Sequence, residues 1–413
     1  MDKATGKTLY VERQQRMVDN IALKETDRVP YTFWPTFWPA TLAGLSYKEV
    51  WYDVDKMVDA TRQAMHLLEP DTYSPLLFSF GPVMEEMGYK AMYWPGKGVG
   101  DNVTFQYLDE EYVSADELDD YLFDPTGFYL KSYLPRVAET FEGFANMPVL
   151  PSLSEWRFFA SLSAFADPRI QQSMKQLMAT GEKMAEILGA GGKFIGEMAA
   201  EGYPVSVGGF CKAPFDHVLD FLRGSKGGML DMFRRKEKLL ETLAKARQLL
   251  ITNVVAEAKS GDCNIVFMPL HWGLDGLMSH EQFMTFYWPE LRNTVIELIE
   301  NNCVPCLLWE GDCTSRMEFI GDIPEGKAIY WFEQGDLFKA KEILGDVVCL
   351  RGNVPPSLLN TGTPDDVDEY CKKLIQMVGR GGGFILDGAI GIPDEALLEN
   401  VVAMAESVKK YGN

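Results

Sequence analysis

The sequence predicts an α/β fold: a closed (β/α)8 TIM barrel carrying an N-terminal helical segment and a hairpin-containing insertion. Three observations predict it. From Asn264 onward short apolar runs alternate with amphipathic helical patterns, which implies parallel strands joined by right-handed crossovers. Every one of those runs ends in polar or charged residues, as strands do when their carboxyl ends open on a common mouth. No Gly-rich phosphate turn follows an early strand; Gly379-Arg380-Gly381-Gly382-Gly383 precedes its strand, where a dinucleotide fingerprint follows one, and this disfavours an open doubly wound sheet.

The elements follow in order. Residues 1 to 65 read as a mostly helical cap segment laid across the barrel, and residues from about 80 to 145 as an insertion. Within the insertion Ala91 to Trp94 and Val103 to Tyr107, joined by a Gly-rich turn, read as a hairpin. Thr72 to Leu77, Met147 to Leu150 and Lys193 to Glu197 are assigned as further strands, with long helices near Arg169 to Leu188 and Lys236 to Lys259. The clearest strands are Asn264 to Pro269, Val304 to Trp309, Ala328 to Phe332, Val347 to Leu350 and Phe384 to Leu386. Between them, Ser279-His280-Glu281-Gln282 is a capping box and Pro289 kinks or splits the helix that follows. Asp336 to Leu344 is a short helix closed by Gly345. Thr363-Pro364-Asp365-Asp366 opens a helix that Gly379 ends, and the last helix spans about Asp394 to Lys410. No linker or internal repeat divides the chain, so 1–413 is expected to be a single domain.

Composition excludes several functions. Of 413 residues 46% are hydrophobic and 24% charged, ordinary for a globular protein, and no apolar run approaches the roughly 18 residues of a membrane span. A formal charge of -21 argues against nucleic acid, which is held mainly by clustered Lys and Arg. Seven scattered cysteines do not form a disulfide framework, and a cytoplasmic location is expected. Homo-oligomerisation is left open.

The residues just past each strand are the candidates for chemistry: His271 and Asp275 after the first clear strand, then Glu310 and Asp312, Glu333, Asn353 and Asp387. His271, one of four histidines, sits beside Trp272, a pattern that also suits a packed structural side chain. Cys313 belongs to the same mouth. Cys303-Val304-Pro305-Cys306 leads into a strand rather than a helix, so its thiols point to opposite faces and the redox reading is not favoured. Phe33-Trp34-Pro35-Thr36-Phe37-Trp38-Pro39 gathers four large rings between prolines; it is either core or, through Trp34, Phe37 and Trp38, the wall of a pocket for a flat apolar ligand.

Several stretches carry a family resemblance. They are Ala213-Pro214-Phe215-Asp216, Phe221-Leu222-Arg223-Gly224, Met229 to Arg235, Met278-Ser279 with Gln282-Phe283, Phe286-Tyr287-Trp288-Pro289, Glu310-Gly311-Asp312, Gly352-Asn353-Val354-Pro355 and the run before Asp387. From about residue 200 onward the chain resembles the uroporphyrinogen decarboxylase superfamily; the first third resembles it only around Arg28-Val29-Pro30. The resemblance implies the closed barrel and one of two activities, tetrapyrrole decarboxylation or corrinoid-dependent methyl transfer. The decarboxylases hold their substrate's carboxylates with an N-terminal Arg-rich segment, whereas Tyr31 to Gly44 here contains no arginine. The thiol methyltransferases bind zinc through His-x-Cys and a later Cys, whereas the corresponding positions here are Leu308, Glu310 and about Ile390.

What the resemblance then implies is a methyltransferase moving a methyl group from a small methylated substrate, an aromatic methyl ether above all, to the Co(I) of a corrinoid protein. The alternatives are a tetrapyrrole decarboxylase and a non-catalytic corrinoid- or tetrapyrrole-binding protein. The catalytic candidates are Glu310, Asp312, His271 and Asp275, with Glu310 and Asp312 paired so that one keeps a proton for the departing oxygen. A zinc ion held by Glu310, with His271 or Cys313, would do the same work. Trp34, Phe37, Trp38, Glu333, Asn353 and Asp387 are the substrate-binding candidates. Gly311 is expected to give the tight turn between the two carboxylates.

Overall fold

A computed structural model describes residues 3–148 and 155–412. Among the described residues eleven strands form three sheets. β1 (Thr32–Phe33) and β2 (Thr72–Tyr73) pair in parallel. β3 (Met92–Pro95), β4 (Gly98–Val99) and β5 (Gln106–Tyr107) form a small sheet in the insertion. β6 (Gly209–Phe210), β7 (Ile265–Leu270), β8 (Val304–Trp309), β9 (Ile329–Phe332), β10 (Cys349–Val354) and β11 (Phe384–Gly388) form one all-parallel sheet in chain order. Single parallel bridges tie the β1–β2 pair to both ends of that sheet: Tyr31 to Leu386, and Tyr73 to Val205 just ahead of β6.

Period-two alternation sorts the strand residues between two faces. Ile265 and Phe267, Cys306 and Leu308, Ile329 and Trp331, Cys349 and Ile385 share one buried cluster with Trp34. Their neighbours, Val266, Met268, Leu307, Trp309, Tyr330 and Leu350, pack outward in the larger cluster under the helices. Burial on both sides is why these strands read as unbroken apolar runs. Cys303 and Cys306 fall in different clusters, as their spacing requires.

The inner cluster is closed at the amino ends of the strands by helix Lys3–Ile21, which contributes Met17 and Ile21. Asn20 fixes that helix to β11, donating to the Phe384 carbonyl (2.7 Å) and accepting from Gly383 N (3.0 Å). Buried Asp71 receives Arg28 (2.7 Å), Arg16 and the Tyr31 amide (2.9 Å), tying the cap segment to β1 and β2. Among the described residues no helix is long and apolar enough to cross a membrane.

Several expectations are corrected. Lys193 to Glu197 lies inside the 33-residue helix Pro168–Ala200, which runs on through Gly191 and Gly192. The strand at Thr72 ends at Tyr73, since Pro75 offers no amide for a further ladder bond. Met147 and Phe144 close a 3-10 segment instead of a strand, and residues 149–150 lie outside the described residues. The hairpin is present, β3 pairing antiparallel with β5, and β4 forms within its Gly-rich turn. The last helix begins at Leu398 rather than Asp394, whose carboxylate is engaged by the Phe37 amide (2.6 Å). Ser279 and Thr363 each form a capping box, and a five-residue π turn, Phe283–Tyr287, precedes the Trp288-Pro289 step.

Candidate active site

Hydrogen bonds carry the ladder one residue past β8 and β9: Glu310 N donates to the Leu270 carbonyl (3.2 Å) and Glu333 N to that of Trp309 (3.1 Å). Glu310, Glu333 and His271 are therefore fixed by backbone, at the parity that points inward above Leu308, Trp331 and Phe267. Gly311 makes the turn after Glu310. Its φ is +133°, and a Cβ there would meet the Leu274 side chain at 2.6 Å.

His271 is the centre of the cluster. Its Nδ1 lies 2.9 Å from Asp220 Oδ2 and its Nε2 3.5 Å from Glu310 Oε2. Lys212 Nζ stands 3.1 Å from the same Asp220 oxygen and 3.5 Å from Nδ1. With the Nδ1 proton directed at Asp220, the lysine contact is a charge brought close, not a second hydrogen bond. Burial pushes the imidazole pKa down, but the bonds to Asp220 and Glu310 outweigh it and lift it to about 10. Burial raises Asp220, but His271, Lys212 and Trp272 Nε1 (2.8 Å) together hold it at about 2. At neutral pH the pair is imidazolium and carboxylate. Burial first, and then the Glu310 charge, raise the Glu333 pKa.

A second carboxylate sets the loop that carries His271. Asp216, fully buried, accepts from the amides of His271 (3.0 Å) and Trp272 (3.2 Å) and from the Tyr287 hydroxyl (3.0 Å). Burial pushes it up to about 6. Asp216 and Asp220 are four residues apart on successive helical turns, so one helix face serves both backbone and ring.

Aromatic rings wall the mouth on the side of the insertion. Lys212 Nζ lies 5.6 Å from the Phe221 ring, Phe221 meets Tyr107 edge-on at 6.0 Å, and Tyr107 meets Phe105 at 6.0 Å. Solvent reaches 61% of Tyr107, yet burial and Asp220 raise its hydroxyl pKa.

The expected residues divide. His271, Glu310 and Glu333 come together. Asp312 does not pair with Glu310: it accepts from Thr314 N (3.0 Å) and Oγ1 (2.7 Å), which lower its pKa and leave it without a proton to give. Asp275 clamps Ser315 and Arg316 instead of facing the mouth. Cys313 is wholly buried, its thiol pKa pushed up by burial. Among the described residues no three His, Cys, Asp or Glu side chains gather closely enough to hold a metal. Phe37 and Trp38 are core: Phe37 stacks on Tyr47 at 4.7 Å, and Trp38 Nε1 donates to the Ala396 carbonyl (2.9 Å). Trp34 lies inside the sheet, 4.6 Å from Phe267 and 5.5 Å from Trp331. Asp387 is buried against Arg351, and Asn353 is spent on the Gly335 carbonyl (2.8 Å) and the Tyr370 hydroxyl (3.2 Å). Lys212, Asp216 and Asp220 were not expected; Lys212 follows β6 as His271 follows β7, and that position was its signal.

The family model described as uroporphyrinogen decarboxylase (URO-D) matches residues 192–411, more than half of the chain and all of the cluster from Lys212 to Glu333. The chain belongs to the uroporphyrinogen decarboxylase family. Relatives of this family member include the uroporphyrinogen decarboxylase of Coxiella burnetii, 23% identical over 184 residues, covering 44% of this chain and 49% of the relative. That of Chlorobium phaeovibrioides is 26% identical over 184 residues, covering 43% and 51%. The chain thus spans about half the length of the curated relatives it matches. A methyltransferase from Methanosarcina mazei shares the fold over 97% of this chain and 98% of its own, with a TM-score of 0.61 at 16% identity.

Proposed function

We propose that the protein transfers a methyl group from a small aromatic methyl ether to the corrinoid of a separate protein, with His271 protonating the oxygen that departs. The observation that carries this reading is His271 held as an imidazolium by Asp220, beside Glu310 and beneath aromatic rings. The corrinoid supplies the nucleophile that takes the methyl carbon. The C–O bond breaks with its electron pair on oxygen, and that oxygen takes the Nε2 proton to leave as a phenol. A phenol titrates near 10, as a tyrosine does, and His271 near 10, so the transfer is close to balanced and the acid is matched to its task. Asp220 holds the ring in place, Asp216 holds the loop, and Glu310, on the Nε2 side, helps hold the proton until the departing oxygen takes it.

A tetrapyrrole decarboxylase needs cations for several carboxylates. Tyr31 to Gly44 supplies none, and the guanidinium groups of Arg316 and Arg351 are engaged by Asp275 and Asp387. The same reading takes the eight main strands as a closed barrel, supported by the single bridges at Tyr31 and Tyr73.

The test is an anaerobic mixture of the protein, a competent Co(I) corrinoid protein and a panel of methoxyarenes. Loss of the Co(I) absorbance with release of the phenol is the expected result. No change with any ether, together with loss of carboxyl groups from uroporphyrinogen, would replace the proposal with the decarboxylase. No turnover of either, with corrinoid still bound, would leave a binding protein.

A further inference from the structure

A cavity lies where the main sheet is joined by a single bridge on its β6 side. Between β2 and β6 the ladder consists of Tyr73 N to the Pro204 carbonyl (3.3 Å) and Ser206 N to that of Tyr73 (2.8 Å). Beyond it the two strands part, and a cavity of about 550 Å3 opens along the seam. Val205, Val207, Phe210 and Phe267 line one side, and Ile195 and Ala199 of helix Pro168–Ala200 the other. Gly196 also faces it, with nothing within 4 Å of where a Cβ would stand. Its inner end abuts the buried aromatic layer, since Phe267 packs on Phe210 at 5.9 Å and on Trp34 at 4.6 Å. None of His271, Glu310 or Glu333 lines it.

We infer that this seam is a second binding site, taking one neutral, apolar small molecule such as a two- or three-ring aromatic. The volume lies in the range of roughly 300 to 1,000 Å3 that holds a ligand of that size. Apolar walls reward burial of rings and alkyl groups. The exposed carboxylates of Glu257 and Asp262 stand among the lining residues, in a chain of net charge -21, and turn away anions. The inference is independent of the methyl-transfer reading, because it uses none of that site's residues.

The experiment is fluorescence titration of the full chain with neutral N-phenyl-1-naphthylamine, beside anionic 1-anilinonaphthalene-8-sulfonate. The neutral probe should bind saturably, one per chain, at least tenfold more tightly than the anionic one. Gly196→Phe, and separately Ala199→Phe, should weaken it at least tenfold with an unchanged thermal midpoint, while Tyr107→Ala, a change at the mouth, should leave it alone. Binding lost in Tyr107→Ala but kept in both helix variants would place the probe in the mouth and overturn the inference. So would absence of saturable binding, or a doubled mass by light scattering that the helix variants abolish, which would make the seam a contact between copies of the chain.

Discussion

Asp220 Oδ2 lies 2.9 Å from His271 Nδ1, although 51 residues separate the two in the chain. The same oxygen accepts Lys212 Nζ, so one carboxylate neutralises the lysine and fixes the ring's orientation and charge. Its second oxygen holds Trp272 Nε1. Asp220→Asn keeps the shape and removes the charge. His271 then loses the larger of the two bonds that lift its pKa and sits beside Lys212 uncompensated. Methyl transfer at neutral pH should fall by roughly a hundredfold, the lower end of what a positioned general acid supplies. The alkaline limb of the pH–rate profile should move down from about 10 towards neutral. A lowered rate with an unmoved limb would mean that Asp220 acts only on structure.

Glu310→Gln tests the other side of the ring. Glu310 is a third exposed and its ladder bond comes from the backbone, so the fold should survive with little change in thermal midpoint. Activity should drop about a hundredfold, because Nε2 loses the charge that helps keep its proton. Glu333, whose pKa is raised by burial and then by Glu310, should titrate lower in this variant, which carboxyl NMR can follow. A Glu333 titration that does not move would show that the two carboxylates are not coupled.

Much of the frame was legible because the last five strands are buried on both faces and end in polar or charged residues; Leu307-Leu308-Trp309-Glu310 states both facts in four residues. β1 and β2 were hard to read for the opposite reason. Two residues each, hemmed by Pro30, Pro35 and Pro75, they have no period to detect, and tertiary packing makes them strands. In the site, proximity along the chain misled: Asp312 is two residues from Glu310 but turns to Thr314, while the true neighbour, Glu333, arrives from the next strand. Asp216 and Asp220 lie on a helix, where acids read as solvated surface, and only the β7 loop packed against them gives them a role.

The His271–Asp220 pair also ties stability to pH. The imidazole has a folded pKa of about 10 against an ordinary 6.5, so its contribution is fully present below about pH 6.5 and is lost as the pH rises towards 10. Urea midpoints should therefore decline across that window in the native protein. His271→Gln should flatten the decline, leaving only the slope due to other groups. An equal slope in both proteins would assign the effect elsewhere.

Arg351 and Asp387 form a buried pair under the mouth, 2% and 0% exposed, with Nε and Nη2 at 2.9 and 2.6 Å from Oδ2 and the guanidinium 3.7 Å from the Trp331 ring centre. Arg351→Met keeps the length and removes the charge, leaving Asp387 buried with the Gly388 amide at 2.7 Å. Breaking such a pair from one side costs about 3–5 kcal/mol, because the remaining charge has neither water nor partner. Burial already raises Asp387 to about 6 despite the arginine; without it the pKa rises further. A raised carboxyl contributes stability at low pH that disappears as the group ionises, so the Arg351→Met deficit should be small near pH 4 and grow towards neutrality. Arg351→Met with Asp387→Leu removes both charges and should recover much of the loss at pH 7, measured by urea denaturation. A single variant that loses under about 1 kcal/mol at pH 7 would show that water reaches the pair.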